Sequence, residues 1–175
     1  MLVYEFPPSY VTSVASGSDF HKNNKTWSGK GTLQYYQILK DLVEKLEIKT
    51  VLDFGSGKGV QYSLYELDKK LNIEVECYDP CLHGLENWPS KTYDMIMALD
   101  VVTNIDKKDI SWLYQNFLNW ANKCVIIGTH LDYKGKNKKR IINSSEEIVL
   151  KDLFPENVNL EKFYIVDHLK IINLL

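Results

Sequence analysis

The chain has 175 residues, of which 45% are hydrophobic, 25% charged and 12% aromatic, with a formal net charge of -2. That length suits one domain with a proper core, and a charge so near zero gives no field-driven pull toward nucleic acid or a membrane surface. No segment has the apolar length of a bilayer span, and the opening MLVYEFPPSY lacks a basic start and an unbroken apolar run, so neither a membrane nor a leader is expected.

Residues 1–31 hold Pro7, Pro8 and many Ser, Asn, Gly and Lys, which is loop chemistry rather than helix or strand. Tyr4, Phe6, Tyr10, Phe20 and Trp27 give the segment enough aromatic surface to pack down as an arm. Its end, HKNNKTWSGKGT, glances at a phosphate loop but fails: Asn24 stands where the first glycine is needed, and Gly31 follows Lys30 in place of Ser or Thr. From Thr32 to Leu46, apolar residues recur at three- and four-residue spacing, which predicts a helix that Thr32 can cap.

Val51 to Phe54 reads as a buried strand that runs into a turn with glycines at 55, 57 and 59, followed by a helical run from Val60 to Leu71. A strand, a glycine turn and a helix make a nucleotide-type pocket at the strand's carboxyl end. Two chemistries compete for it. The dinucleotide fingerprint needs a glycine where this chain has Val60, whereas the spacing here is G-x-G-x-G with Asp53 two residues before the first glycine. A second strand, Ile73 to Tyr78, ends at Asp79-Pro80, roughly twenty residues past the last glycine, where ribose-binding acids sit in such folds. Asp79 is the expected ribose clamp, because a carboxylate accepts hydrogen bonds from both ribose hydroxyls.

The stretch CLHGLENWPSKTYD is short for a strand-and-helix unit, so a third strand must be abbreviated or displaced. Tyr93 to Val102 is a nearly continuous apolar strand, Asp109 to Ala121 a helix, and Cys124 to Thr129 another strand with His130 just past its end. A side chain there faces the ligand crevice, which makes His130 the first candidate base and Asp100 the second. The densest basic run, Lys134 to Arg140, follows; it reads first as a solvated loop, with recognition of an anionic substrate as the alternative. Ser144 and Ser145 can cap a helix from Glu146 to Phe154, and Leu160 to Val166 with Leu169 to Leu174 read as two strands joined tightly at Asp167-His168. The three cysteines are odd in number and scattered, which fits a cytoplasmic location. Cys77, Cys81 and His83 lack a second ligand pair at zinc spacing, so no metal is expected.

VLDFGSGKG with Asp79 resembles motif I and the following acid of the class I methyltransferases that use S-adenosylmethionine. The resemblance runs from about Thr32 to the carboxyl terminus and implies an α/β, Rossmann-like, doubly wound sheet, mostly parallel with a C-terminal antiparallel hairpin. It implies a methyltransferase domain over 32–175 with 1–31 as an arm or lid, Trp27 touching cofactor or substrate. It also implies that Asp53, Gly55, Ser56, Gly57, Gly59, Asp79 and Pro80 bind the cofactor, with Asp100 and Val101 beside them at the end of the fourth strand. Glu86, Asn87 and Trp88 fit the loop that holds adenine: a carboxylate or amide for its amino group and an indole for its face. Asp94 and Asp100 match the acids early and late in motif IV, but Thr103 and Asn104 stand where a histidine pair is frequent. The Asp-Pro-Pro-Tyr type of signature is missing, and Pro80-Cys81 follows the second strand instead of the fourth, so nucleic-acid methylation is not expected.

The expected activity is methyl transfer from S-adenosylmethionine to an N, O or C nucleophile of a small or medium, anionic, substrate. A binding or regulatory module on the same fold, without turnover, is the alternative, and a nicotinamide-dependent oxidoreductase comes third, disfavoured by Val60. A chain this compact leaves room for a homo-oligomeric neighbour that closes the pocket.

Overall fold

A computed structural model describes residues 6–23, 28–128, 162–167 and 170–172. Five strands lie side by side and run parallel: β2 (Glu74–Tyr78), β1 (Thr50–Phe54), β3 (Tyr93–Leu99), β4 (Ala121–Gly128) and β5 (Phe163–Asp167). β6 (Lys170–Ile172) adds at the β5 edge with antiparallel pairing, Ile165 opposite Ile172 and Val166 opposite Ile171. Residues 168–169 lie outside the described set, and with them part of the tight connection expected at Asp167-His168. The sheet is α/β and compatible with a Rossmann-like fold.

Period-two alternation sorts the strands' side chains into two layers. Leu52, Phe54, Ile96, Ala98, Val125 and Ile127 face a core closed by α5 (Ile110–Trp120), through Leu113, Tyr114, Phe117 and Trp120. Val51, Met95, Met97, Cys124 and Ile126 face the opposite core, closed by α2 (Tyr36–Lys45) and α4 (Leu67–Leu71). Strands covered on both faces explain the near-continuous apolar runs in the sequence. Among the described residues no helix is long and apolar enough to cross a membrane.

The chain leaves β1 for β2 on one side and returns to β3 on the other, so β1 and β3 form the switch point at which such sheets open a crevice. No strand intervenes between β2 and β3: residues 79–92 are turns and irregular chain, so the third strand is absent there rather than displaced.

Four elements depart from the sequence reading. Residues 8–23, expected as loop, form α1 (Pro8–Asn23). Pro8 sits at the first helical position, where its missing N–H costs nothing, and Lys22 occupies the last turn, where its charge complements the helix dipole. The helix expected over Thr32 to Leu46 opens as a 3-10 turn, Lys30–Tyr35, preceded by Gly29 at φ 89°; Thr32 is buried inside that turn and does not cap it. The run from Val60 to Leu71 breaks into α3 (Val60–Ser63) and α4, with Glu66 at φ 53° between them. Gln61 and Leu67 are both buried, yet at about 100° per residue a continuous helix would set them some 240° apart, on different faces. The break re-aims α4 onto its core. Finally, the strand expected to reach Val102 stops at Leu99, and Asp100 turns the chain at φ 60°.

Trp27, His130, the basic run Lys134 to Arg140, Ser144, Ser145 and the helix expected from Glu146 to Phe154 all lie outside the described residues.

Candidate functional site

The crevice region is built from the carboxyl ends of β1, β2 and β3. After Phe54 the chain turns sharply through Gly55 at φ 78°, Gly57 at φ 59° and Gly59 at φ 67°. At Gly55 glycine is required twice over: the angle is left-handed, and an added Cβ would run into the Val101 side chain. At Gly59 the angle alone demands it, since nothing lies within 4 Å of where a Cβ would stand. The turn is tied to β2 by the Gly55 and Ser56 N–H groups, which donate to the Tyr78 carbonyl at 2.7 and 3.1 Å.

Asp79 follows directly. It is 6% exposed; its Oδ2 accepts the Gly57 N–H at 3.0 Å and its Oδ1 the Cys81 N–H at 2.9 Å. The acid expected to clamp a ribose therefore fixes the glycine turn, with Pro80 half-buried in the turn behind it. Cys77 and Cys81 flank it, and burial pushes their thiols up to about 12 and about 11. Neither carries thiolate chemistry at neutral pH.

Asp53, within β1 and beside Cys77 in the β2 register, is buried at 2% exposure. Its Oδ2 accepts the Tyr62 hydroxyl at 2.7 Å and the Gln61 amide at 2.9 Å. Burial pushes its carboxyl up to about 6, against the downward pull of those two hydrogen bonds. The Gln61 amide also donates to the Ser56 carbonyl at 3.1 Å, so one side chain braces both the acid of β1 and the turn. The Gln61 Oε1 is buried with no hydrogen-bond partner among the described residues and is closed over by Gly29, where an added Cβ would collide with it.

The chain covers this region with its own segments. The Ser28 carbonyl accepts the Val60 N–H at 3.0 Å, laying Ser28 and Gly29 across the start of α3. α1 crosses nearby: His21, 8% exposed, brings its Nε2 to 4.0 Å from the Asp79 Oδ2, and burial holds its imidazole below the ordinary histidine range against the attraction of that carboxylate. Gly17 sits against Cys81, whose thiol reaches the Val14 carbonyl at 3.5 Å. At the far end of α1 the Ser9 hydroxyl donates to Asp109 Oδ2 at 2.6 Å, and the Tyr10 and Tyr78 hydroxyls pair at 3.2 Å.

At the end of β3, Asp100 takes a left-handed angle that costs a non-glycine residue some strain, though less for Asp than for most. Its Oδ1 accepts the Tyr35 hydroxyl at 3.4 Å and its carbonyl the Asn104 amide at 3.1 Å.

The three residues expected around adenine do not converge. Glu86 and Asn87 are exposed, and Glu86 Oε1 pairs with His83 Nδ1 at 3.0 Å. Trp88 instead joins an aromatic cluster. Its ring lies at 23° to Trp112 with centroids 5.6 Å apart and meets Phe6, Tyr78 and Trp120 edge-on. Packing among rings wins over a free flat face.

Sequence reasoning missed His21, Tyr35, Gln61 and Tyr62. Gln61 and Tyr62 open the helix after the glycine turn, a position that returns toward β1, but no residue pattern marked them as partners of Asp53. His21 and Tyr35 reach the region only through tertiary packing.

A surface hollow of about 690 Å³ lies at the opposite, amino end of β1, lined among others by Val43, Ile48, Leu71 and Lys123. Of the lysines around it, Lys123 donates through Nζ to the Leu46 and Glu47 carbonyls at 3.1 and 2.7 Å and so caps the end of α2. No protein-family model matches the chain, and no curated protein or solved structure matches it either.

Proposed function

We propose that the crevice at the β1/β3 switch point binds S-adenosylmethionine and that the protein transfers its methyl group to an N, O or C nucleophile of a small or medium, anionic, substrate. The observation that carries this reading is the pairing of the Asp79 carboxylate with the Gly57 N–H at 3.0 Å. It joins the acid at the end of β2 to the left-handed glycine turn after β1, the two parts that the motif resemblance requires to meet.

The residues fit such a cofactor in kind. Gly59 leaves open space beside the turn, and a carboxylate has acceptor capacity for about four hydrogen bonds, of which Asp79 uses two here. Bound there, the cofactor supplies a methyl group already made electrophilic by its sulfonium. What the chain itself contributes is binding, alignment and exclusion of water. Asp79 accepts ribose hydroxyls, the glycine turn lies against the cofactor, and Asp53 holds that turn through Gln61. Asp100, held by Tyr35, is a candidate proton acceptor at the mouth; His130, on the stretch outside the described residues, is the other. On the same reading the domain spans 32–175, its sheet ends in an antiparallel hairpin of the methyltransferase type, and the protein works in the cytoplasm.

One observation favours the non-catalytic alternative: Ser28, Gly29 and His21 of the chain itself cover the turn and Asp79. The two readings separate when S-adenosylmethionine carrying an isotopically labelled methyl group is incubated with the protein and a panel of small anionic acceptors. Label transferred by the wild type and lost in Asp79→Ala supports the enzyme. Cofactor binding without transfer to any acceptor, and without slow hydrolysis, supports the module.

A further inference from the structure

Resting on the cofactor reading above, we propose that α1 is an intramolecular competitor of the cofactor: its His21 occupies the approach to Asp79, and the cofactor binds only when α1 lifts away.

Three observations carry this. First, the acid needed for ribose is only 6% exposed. Both of its oxygens already hold backbone N–H groups, and the remaining approach to Oδ2 has His21 at 4.0 Å. A ribose cannot reach two lone pairs of that carboxylate with the imidazole in place.

Second, α1 is seated by separate, replaceable contacts along its length, unlike a strand woven into the sheet. Ser9 on Asp109 and Tyr10 on Tyr78 hold one end, Gly17 on Cys81 the middle, and His21 the other end. An added Cβ at Gly17 would lie 2.5 Å from the Cys81 thiol, so the helix comes as close to the turn after Asp79 as glycine permits.

Third, α1 is a weak helix by itself. Val11, Thr12 and Val14 are β-branched, Gly17 lies in its interior, and no acidic residue occupies its first turn. Its helicity depends on the seat, so what lifts it from the seat also loosens it. The apparent affinity for the cofactor is then the intrinsic affinity reduced by the fraction of molecules with α1 lifted.

The test measures binding of the demethylated product of S-adenosylmethionine to the full chain and follows amide hydrogen exchange over residues 8–23. His21→Ala removes the contact with Asp79. Ser9→Ala loosens the opposite end without touching the crevice and serves where the first variant folds poorly. The expected result is apparent binding about tenfold tighter in each variant, with faster exchange over 8–23 in the wild type once ligand is added. Binding accompanied by slower exchange over 8–23, or weakened by both substitutions, overturns the competitor while leaving the cofactor reading intact. Absence of binding to the wild type and to both variants overturns the two together.

Discussion

The Asp79 carboxylate and the Gly57 N–H, 22 residues apart in sequence, meet at 3.0 Å and lock the end of β2 to the turn that follows β1. The same carboxylate takes the Cys81 N–H through its other oxygen. Asp79 is thus a structural brace whatever it binds.

Removing it leaves two backbone donors in a buried setting, at a cost of about 1 to 3 kcal/mol. Asp79→Ala should lower the urea midpoint accordingly. Asp79→Asn should rescue only part of the loss, because an amide turns a donor toward one of the two N–H groups. An unmoved midpoint in Asp79→Ala would show that these bonds carry no net stability.

The turn makes a second prediction through Gly55 and Val101. Gly55→Ala meets both a left-handed φ of 78° and the Val101 side chain, and should cost about 1 to 3 kcal/mol. In a Val101→Ala background the clash with the two Val101 methyl groups is removed and the conformational part remains. A double-mutant cycle should therefore show a coupling of at least about 0.5 kcal/mol; strict additivity would mean that the two side chains do not collide.

Asp53 links stability to pH. Burial raises its folded carboxyl to about 6, above the ordinary value of 3.8 that the unfolded chain keeps. The folded state therefore binds the proton more tightly. The contribution to stability is fully present below about pH 4, is lost as pH rises through about 6, and is worth on the order of 3 kcal/mol across that window. Asp53→Asn cannot titrate, so its stability relative to the wild type should grow by about that amount between pH 4 and pH 7 in matched denaturant titrations. A difference that stays flat with pH would place the Asp53 carboxyl near its unperturbed value.

Trp88 bears on the adenine assignment. Its ring belongs to a cluster with Trp112, Trp120 and Tyr78, so Trp88→Ala should destabilise by about 3 kcal/mol. Trp88→Phe, which keeps much of the packing, should leave cofactor affinity within about twofold of the wild type. A tenfold loss of affinity in Trp88→Phe at unchanged stability would return the indole to the binding site.

How far the sequence reaches can be seen element by element. β1, the glycine turn and Asp79 were legible because period, glycine spacing and chain distance all point to one geometry. α1 was not, because Val11, Thr12 and Gly17 speak against a helix locally, and contacts with Asp109, Tyr78 and Cys81 outweigh them. The break between α3 and α4 was hidden for a related reason: the run from Val60 to Leu71 is helical in propensity, but which of its faces are buried is decided by the sheet. Asp79 could be located by counting from the last glycine. That His21 would lie over it could not be counted, since the contact joins two segments with no shared pattern.

The most direct measurement is calorimetric titration of S-adenosylmethionine and its demethylated product into the wild type, Asp79→Ala and the two α1 variants, with NAD as a control ligand. The account expects binding of both cofactor forms to the wild type or, where α1 holds the crevice shut, to His21→Ala and Ser9→Ala, with none to Asp79→Ala and none of NAD. Silence of both cofactor forms toward wild type and α1 variants alike would contradict it and leave the glycine turn as scaffold, and retention of binding in Asp79→Ala would contradict the role given to Asp79.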